Sequence, residues 1–210
     1  MPSQSTSHTE SDLRALYGEP SKLPAKAKSD RLEAHSRRFV ELSPLVIIAS
    51  TDGDANVDLS PRGDAPGFVV VEDDQTLVIP DRKGNNKIDT LRNLCSTDRV
   101  GLMFVIPGIN EVLRIRGSAA ISVDLEQCQR HAVGGVAPKS VMIVKIHTIF
   151  PHCGKAFIRS GLWQDEARRD RKRDSVPSLA QIAMAMAGMD EESVDVVDAK
   201  IQQDYESSLY

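Results

Sequence analysis

The chain has 210 residues, of which 40% are hydrophobic and 27% charged, a composition typical of a globular protein with a sizeable core. A formal net charge of -4 and an aromatic content of only 4% argue against a dedicated nucleic-acid-binding protein. The apolar runs are much shorter than the ~20 residues that span a membrane, and no basic start precedes an apolar segment at the N-terminus. We therefore expect no membrane association and a cytoplasmic location.

The first part of the chain, residues 1–43, is predicted to be a helical extension. Ser11 is placed to cap a short helix that ends at Gly18. A second helix is predicted from Ser29 to Leu42, because its apolar residues recur at helical spacing and a proline closes it.

Residues 44–165 change to β-branched runs and alternating patterns, which indicate strands. The stretches PRGDAPG and DRKGNN between them are predicted loops. Short connections favour an antiparallel sheet that closes into a barrel, so the fold is predicted to be mainly β with flanking helices. The predicted strands are LVIIAST, ANVDLS, FVVV, TLVIP, VGLMFVI, EVLRIRGSAAIS and SVMIVKIHTIF.

Residues 166–210 are predicted to be a second helical extension. Residues 190–210 carry seven acids and one base, so this tail is net -6 and the remainder of the chain is net +2. Val194, Val197 and Ile201 recur at helical spacing, which indicates a helix with a solvated acidic face. The nearby methionines are expected to pack against the barrel or a second subunit.

The sequence contains no complete catalytic constellation. The Gly-x-Ser-x-Gly elbow, His-Glu-x-x-His, the Walker loop and Gly-x-Gly-x-x-Gly are all absent. Its three cysteines are widely spaced, so we expect neither a disulfide framework nor a metal site. A chain of this kind, if it is an enzyme, takes its chemistry from a cofactor.

The strongest local signal is the basic loop from Arg82 to Lys87, which leads directly into a predicted helix. Helix N-termini and basic side chains both bind phosphate, and Asn85 or Asn86 is placed to cap the helix. The loop therefore suggests a phosphate site, with a capped helix and solvated basic residues as the equal alternative.

Three further arginines are candidates for anion binding. Arg62 lies at the end of a strand, where the alternative is an ion pair with Asp64. Arg114 and Arg116 share one face of the long strand by its period of two. Their alternative is an exposed face, with partners such as Glu111 or Asp124.

Five stretches in order make the chain resemble the pyridoxamine 5'-phosphate oxidase-related family of FMN-binding split-barrel proteins. The SPRGD and PDRKGNNK segments are similar to those of a bacterial subgroup, and the resemblance covers about residues 10–165. The stretches are IIASTDGDANVDLSPRGDAPGFV, LVIPDRKGNNKIDTLRN, DRVGLMFVIPG, LRIRGSA and FPHCGKAFIRSGLW.

The resemblance implies a six- or seven-stranded antiparallel split barrel and a homodimer that holds FMN non-covalently at its interface. The implied substrate-side residues are His152, Lys155 and Arg159. No catalytic residue is assigned. The implied FMN contacts are Arg62, Arg82, Asn85, Asn86, Lys87, Arg114 and Trp163.

The resulting expectation is an FMN-dependent oxidoreductase of unknown substrate, with NADH or NADPH as a candidate electron donor. Trp163 is followed by QDEARRDRKRD, whereas the oxidases proper carry a stretch rich in arginine and tryptophan. Pyridoxamine phosphate is therefore not the expected substrate. The alternatives are a non-catalytic flavin- or haem-binding storage or sensor protein, and a deazaflavin in place of FMN.

Overall fold

A computed structural model describes residues 8–189 and 193–209. Seven strands within these residues form one antiparallel sheet, in the order β2-β1-β5-β6-β7-β4-β3. The strands are β1 (Leu45–Thr51), β2 (Val57–Gly63), β3 (Val70–Val71), β4 (Thr76–Pro80), β5 (Arg99–Val105), β6 (Val112–Ser122) and β7 (Val141–His152). This sheet with its flanking helices confirms the predicted mainly β, antiparallel architecture.

Eight α-helices in the described residues flank the sheet or connect its strands. A short 3-10 turn also lies at Asp165–Ala167. The helices are α1 (Glu10–Tyr17), α2 (Lys22–Lys26), α3 (Ala34–Leu42), α4 (Asp89–Leu94), α5 (Leu125–Gln129), α6 (Lys155–Ser160), α7 (Leu179–Ala187) and α8 (Val194–Ser207). None of the helices in the described part of the chain has the length and apolarity needed to cross a membrane.

The core follows from the alternation of side chains along the strands. Val46 and Ile48 of β1 pair with Phe104 and Leu102 of β5, and all four side chains are buried. Ile115 of β6 continues this inner face. Complete burial of an aliphatic or aromatic side chain of this size contributes roughly 1.5–3 kcal/mol, so these positions account for much of the stability of the barrel.

A smaller core lies on the other side of the sheet, under α5. Cys128 of α5 packs against Val78 of β4 and Val141 of β7, and all three side chains are buried. This contact fixes the segment after α5 close to the end of β4, where the candidate site lies.

Two strand boundaries differ from the sequence-based prediction. The predicted loop PRGDAPG is wrong in its first three residues, because β2 continues to Gly63, with Arg62 paired to Val46. Pro61 is tolerated there because β2 is an edge strand and one of its sides forms no ladder. The predicted strand FVVV is reduced to Val70–Val71.

Two helix starts also differ. The helix expected to begin at Ser29 begins at Ala34, because the Glu33 side chain accepts hydrogen bonds from the backbone N–H groups of His35 and Ser36. Ser29 instead forms an extended bridge with Ile149. The first helix is capped by Thr9 and not by Ser11.

Candidate functional site

A cavity of about 290 Å³ lies where the end of β4 and the loop after it meet the segment before β7. Residues distant in sequence form its wall, because β4 and β7 are neighbours in the sheet. Its lining is formed by Arg62, Asp81, Arg82, Lys83, Gly84, Asn85, Asn86, Ile88, Val136, Ala137, Pro138 and Lys139. Four of these side chains are basic and one is acidic, so the cavity carries positive charge.

Arg62 enters this cavity from the inner face of the edge strand. Its Nη2 atom lies 3.4 Å from Oδ1 of Asp81, so the suggested pairing with Asp64 is wrong. The Nε atom of Arg62 is buried and has no hydrogen-bond partner among the described residues. A buried guanidinium N–H without an acceptor is unfavourable, and an anion in the cavity is the kind of group that would satisfy it.

Arg82 is held by two groups from different parts of the chain. Its Nε atom donates to Oδ2 of Asp64 at 2.7 Å, and its Nη1 atom donates to the carbonyl of His131 at 2.7 Å. The Asp64 side chain is only 4% exposed, so this ion pair is shielded from water. Arg82 therefore fixes the loop that follows β4 to the end of β2 and to the segment after α5.

Two titratable groups are perturbed at this site. Burial raises the pKa of Asp81, and the nearby positive charge of Arg62 partly opposes the shift. Burial also lowers the pKa of His131, and the positive charges of Arg82 and Arg130 lower it further. Burial is the largest cause of both shifts, and perturbed titratable groups often mark a functional site.

The loop from Gly84 to Ile88 adopts a conformation that the sequence did not indicate. Asn86 and Ile88 have φ angles of 58° and 53°, in the left-handed region that is rare for a β-branched residue. Ile88 is the residue that precedes α4, and no side chain caps this helix. The predicted capping by Asn85 or Asn86 is therefore wrong, because the Asn85 side chain accepts from the backbone N–H of Lys87 instead.

A polar contact inside the barrel positions α4 against the sheet. The Nδ2 atom of Asn93 donates to Oγ of Ser50 at 3.0 Å and to Oδ2 of Asp58 at 2.8 Å. Asn93 is buried, and these bonds tie α4 to β1 and β2. The basic loop thus connects a strand and a helix that are both fixed.

The structure brings only part of the predicted site into the cavity. Arg62, Arg82, Asn85 and Asn86 line it, whereas Lys87 is exposed and outside the lining. Sequence reasoning did not select Lys83 and Lys139 as site residues. Lys83 lies in the basic loop itself. Lys139 follows α5 in the sequence, and no local pattern indicates that it lies near this loop.

The other predicted residues lie away from the cavity in this chain. The guanidinium of Arg114 stacks over Phe150 at 4.7 Å, rather than pairing with Glu111 or Asp124. Trp163 donates from Nε1 to the carbonyl of Ile109 and stacks on Phe157. The exposed residues His152, Lys155 and Arg159 lie at the end of β7 and along α6.

Metal-ligating side chains are dispersed over the molecule. Within residues 8–189 and 193–209, no group of three or more His, Cys, Asp or Glu residues is arranged to hold a metal ion.

Comparison with known protein families assigns the fold. The family described as pyridoxamine 5'-phosphate oxidase matches residues 32–153, which is more than half of the chain. The chain belongs to this family, as its resemblance indicated. No curated protein sequence matches it.

Solved structures with a similar arrangement share little sequence with the chain. HupZ from Group A Streptococcus is 18% identical, with a TM-score of 0.48 over 57% of this chain and 93% of its own. A protein related to general stress protein 26, from Clostridium acetobutylicum, is 13% identical, with a TM-score of 0.42 over 56% of this chain and 87% of its own. An F420 reductase is 16% identical, with a TM-score of 0.42 over 56% of this chain and 98% of its own.

Proposed function

We propose that the chain is an FMN-dependent oxidoreductase that binds the FMN phosphate in the basic cavity. The observation that carries the proposal is the convergence of Arg62, Arg82, Lys83 and Lys139 on one cavity of a protein of this family. Guanidinium and ammonium groups form strong charge-assisted hydrogen bonds with phosphate. Asn85 and Asn86 add amide donors to the same wall.

The buried Nε atom of Arg62 supports this ligand class. It lacks a hydrogen-bond acceptor among the described atoms, and a phosphate oxygen would supply one. Arg82 has a different role, because its contacts to Asp64 and His131 already hold it in place. We assign Arg82 to positioning the loop, and Arg62, Lys83 and Lys139 to binding the phosphate.

The size of the cavity indicates which part of FMN it holds. A volume of about 290 Å³ is at the lower end of the ~300–1,000 Å³ range of small-molecule sites. It suits a phosphate and a short polar chain better than a complete flavin. We infer that a second copy of the chain completes the ring site, in a homodimer with one flavin per subunit.

In the proposed dimer, the predicted residues outside the cavity could contact the flavin bound by the second copy. Arg114, Trp163, His152, Lys155 and Arg159 are candidates for contacts with the ring or the substrate across the interface. Lys87 remains a candidate for the phosphate, through movement of its exposed side chain. Bound FMN supplies hydride transfer, while the chain positions the substrate and sets the local charge.

The proposal extends to the organisation of the chain. We infer that residues 44–165 form the flavin-binding unit, with helical extensions at 1–43 and 166–210. Cytoplasmic localisation is part of the same proposal.

Haem is disfavoured for this cavity on the chemistry of its wall. The residues that line it include no His, Cys, Met or Tyr, the side chains that usually ligate haem iron. A deazaflavin also carries a phosphate and is an alternative outcome of the experiment below.

The test is the absorption spectrum of the purified full-length protein, followed by anaerobic mixing with NADH or NADPH. We expect oxidised-flavin bands that are bleached by at least one of the two nucleotides. The rate should fall as salt rises, because basic groups attract an anionic dinucleotide. A deazaflavin or haem spectrum would overturn the cofactor assignment, and a bound flavin that neither nucleotide reduces would overturn the proposed donor.

A further inference from the structure

A second cavity lies near the opposite end of β7 from the basic cavity. Its volume is about 440 Å³, within the ~300–1,000 Å³ range of small-molecule sites. Helix α3, the extended segment before it, the start of β6 and the end of β7 form its walls. The proposed function leaves this cavity without a role.

The floor of this cavity is apolar. Leu113 of β6 pairs with Pro151 of β7, and Ile149 lies on the same face of β7 two residues earlier. Leu113 and Ile149 are buried, and Phe39 of α3 packs against the same core. We call the space lined by these four residues the apolar cavity. Because their side chains offer no hydrogen-bonding groups, the floor fits the apolar part of a ligand.

The walls of the apolar cavity are held by backbone contacts. Ser29 and Ile149 exchange two backbone hydrogen bonds, of 3.1 and 2.6 Å, which join the segment before α3 to β7. At the start of α3, the two carboxylate oxygens of Glu33 accept from the backbone N–H groups of His35 and Ser36, both at 2.8 Å. The cavity is therefore preformed, which reduces the entropy cost of binding a ligand.

The mouth of the apolar cavity is basic. Lys26, at the end of α2, and Lys28 both line it, and both are exposed. Neither lysine forms an ion pair or a side-chain hydrogen bond with the described residues. Glu33 is the one acid among the described lining residues, and its oxygens already accept from the backbone of α3. The two ammonium groups are therefore available to an anionic head group.

We propose that the apolar cavity binds a small amphipathic carboxylate, of the class of the medium-chain fatty acids. The apolar body of this ligand packs on Phe39, Leu113 and Ile149, where it is removed from water. Its carboxylate lies beside Lys26 and Lys28, because ammonium groups form charge-assisted hydrogen bonds with carboxylates. This second ligand goes beyond the proposed function and does not depend on the flavin.

Other classes of ligand fit the apolar cavity less well. The two lysines would repel a cation. A phosphate ester is best bound by several donors, whereas the floor offers none and Glu33 occupies the N-terminus of α3. A neutral apolar molecule would use the floor alone, and it is a separate outcome of the test below.

The first test is isothermal titration calorimetry of the purified full-length protein with octanoate and with 1-octanol, which has the same chain length and no charge. We expect octanoate to bind at one site per chain and about tenfold more tightly than 1-octanol, because hydrogen bonds between charged groups are the stronger ones. Equal affinities would overturn the recognition of a carboxylate. No saturable binding of octanoate would overturn the site.

The second test removes the charge at the mouth. Lys26→Gln/Lys28→Gln should weaken octanoate binding about tenfold and leave 1-octanol binding unchanged. The matched control is Lys172→Gln/Lys200→Gln, which removes two exposed lysines outside the lining and should change neither affinity. Equal effects of the two double variants would overturn the placement of the carboxylate.

The third test fills the cavity. Ala27 is half-buried and lines it, so the phenyl ring of Ala27→Phe takes up part of the volume. We expect this variant to lose both octanoate and 1-octanol, whereas Ala185→Phe, at an exposed position outside the lining, keeps both. Undiminished octanoate binding to Ala27→Phe would overturn the proposal. If thermal unfolding shows that this variant does not fold, the variants of the exposed lysines decide.

Discussion

Arg82 and Asp64 form an ion pair of 2.7 Å that joins the loop after β4 to the end of β2. The neighbouring pair crosses it, because Asp81 contacts Arg62. Two adjacent residues, Asp81 and Arg82, therefore each form an ion pair with the end of β2 or the residue after it. The acid Asp81 pairs with Arg62. The base Arg82 pairs with Asp64. With these two ion pairs, Arg62 lies in the cavity wall and Arg82 holds the loop in position.

The first prediction concerns the Arg82–Asp64 pair. Asp64→Ala should destabilise the protein by about 3–5 kcal/mol, because it leaves a shielded guanidinium without its carboxylate. Chemical denaturation measures the change. The control is Asp165→Ala, which removes the exposed partner of Arg168 and should change stability by less than about 1 kcal/mol. Equal effects of the two variants would show that Arg82 does not anchor the loop.

The second prediction concerns Asp81, the acid in the cavity wall. Asp81→Asn removes a negative charge and releases Arg62 from its ion pair, so FMN should bind several-fold more tightly at pH 7. Riboflavin, which lacks the phosphate, should bind with unchanged affinity. Titration of the two flavins by fluorescence measures both constants. Weaker FMN binding in the variant would mean that Asp81 is needed to orient Arg62.

The third prediction concerns pH. The pKa of His131 is lowered in the folded protein, so the unfolded chain takes up a proton first as the pH falls. The contribution of neutral His131 to the free energy of unfolding is therefore fully present above its ordinary pKa of about 6.5. It is lost as the pH falls below that value. His131→Gln should flatten the stability profile below pH 6.5 and keep the backbone carbonyl that accepts from Arg82. Thermal unfolding across this range provides the measurement, and an unchanged slope would argue against the shift.

The fourth prediction concerns the backbone of the basic loop. Ile88 is half exposed and has a φ of 53°, which asparagine tolerates better than a β-branched residue. Ile88→Asn should raise the free energy of unfolding by up to about 1 kcal/mol. Val123→Asn, at an exposed position without positive φ, is the control and should not stabilise. Lower stability of Ile88→Asn would show that Ile88 packing outweighs the strain.

Much of the sheet could be predicted from local patterns. Continuous apolar runs such as Leu45–Thr51 and the alternation in Val112–Ser122 define strands without reference to the rest of the chain. Boundaries that depend on pairing could not be predicted in this way. Arg62 belongs to β2 because it pairs with Val46, and a local pattern of proline and glycine indicates a loop there.

Part of the candidate site could be predicted from the sequence. The basic loop from Arg82 to Asn86 was evident, and four of the predicted residues line the cavity. Lys139 reaches the same wall through the pairing of β7 with β4, a contact that spacing does not show. The crossed ion pairs likewise depend on tertiary packing, so the nearest acid in sequence was the wrong partner for Arg62.

The most direct test of the central claim is the ratio of the dissociation constants of riboflavin and FMN. Arg62→Ala should lower this ratio roughly 10- to 150-fold, because a hydrogen bond to a charged group contributes about 1.5–3 kcal/mol. Arg99→Ala, on β5 and outside the cavity wall, is the matched control and should leave the ratio unchanged. The account predicts a loss confined to FMN. An equal loss for both flavins, or no loss for either, would contradict the assignment of the cavity to the FMN phosphate.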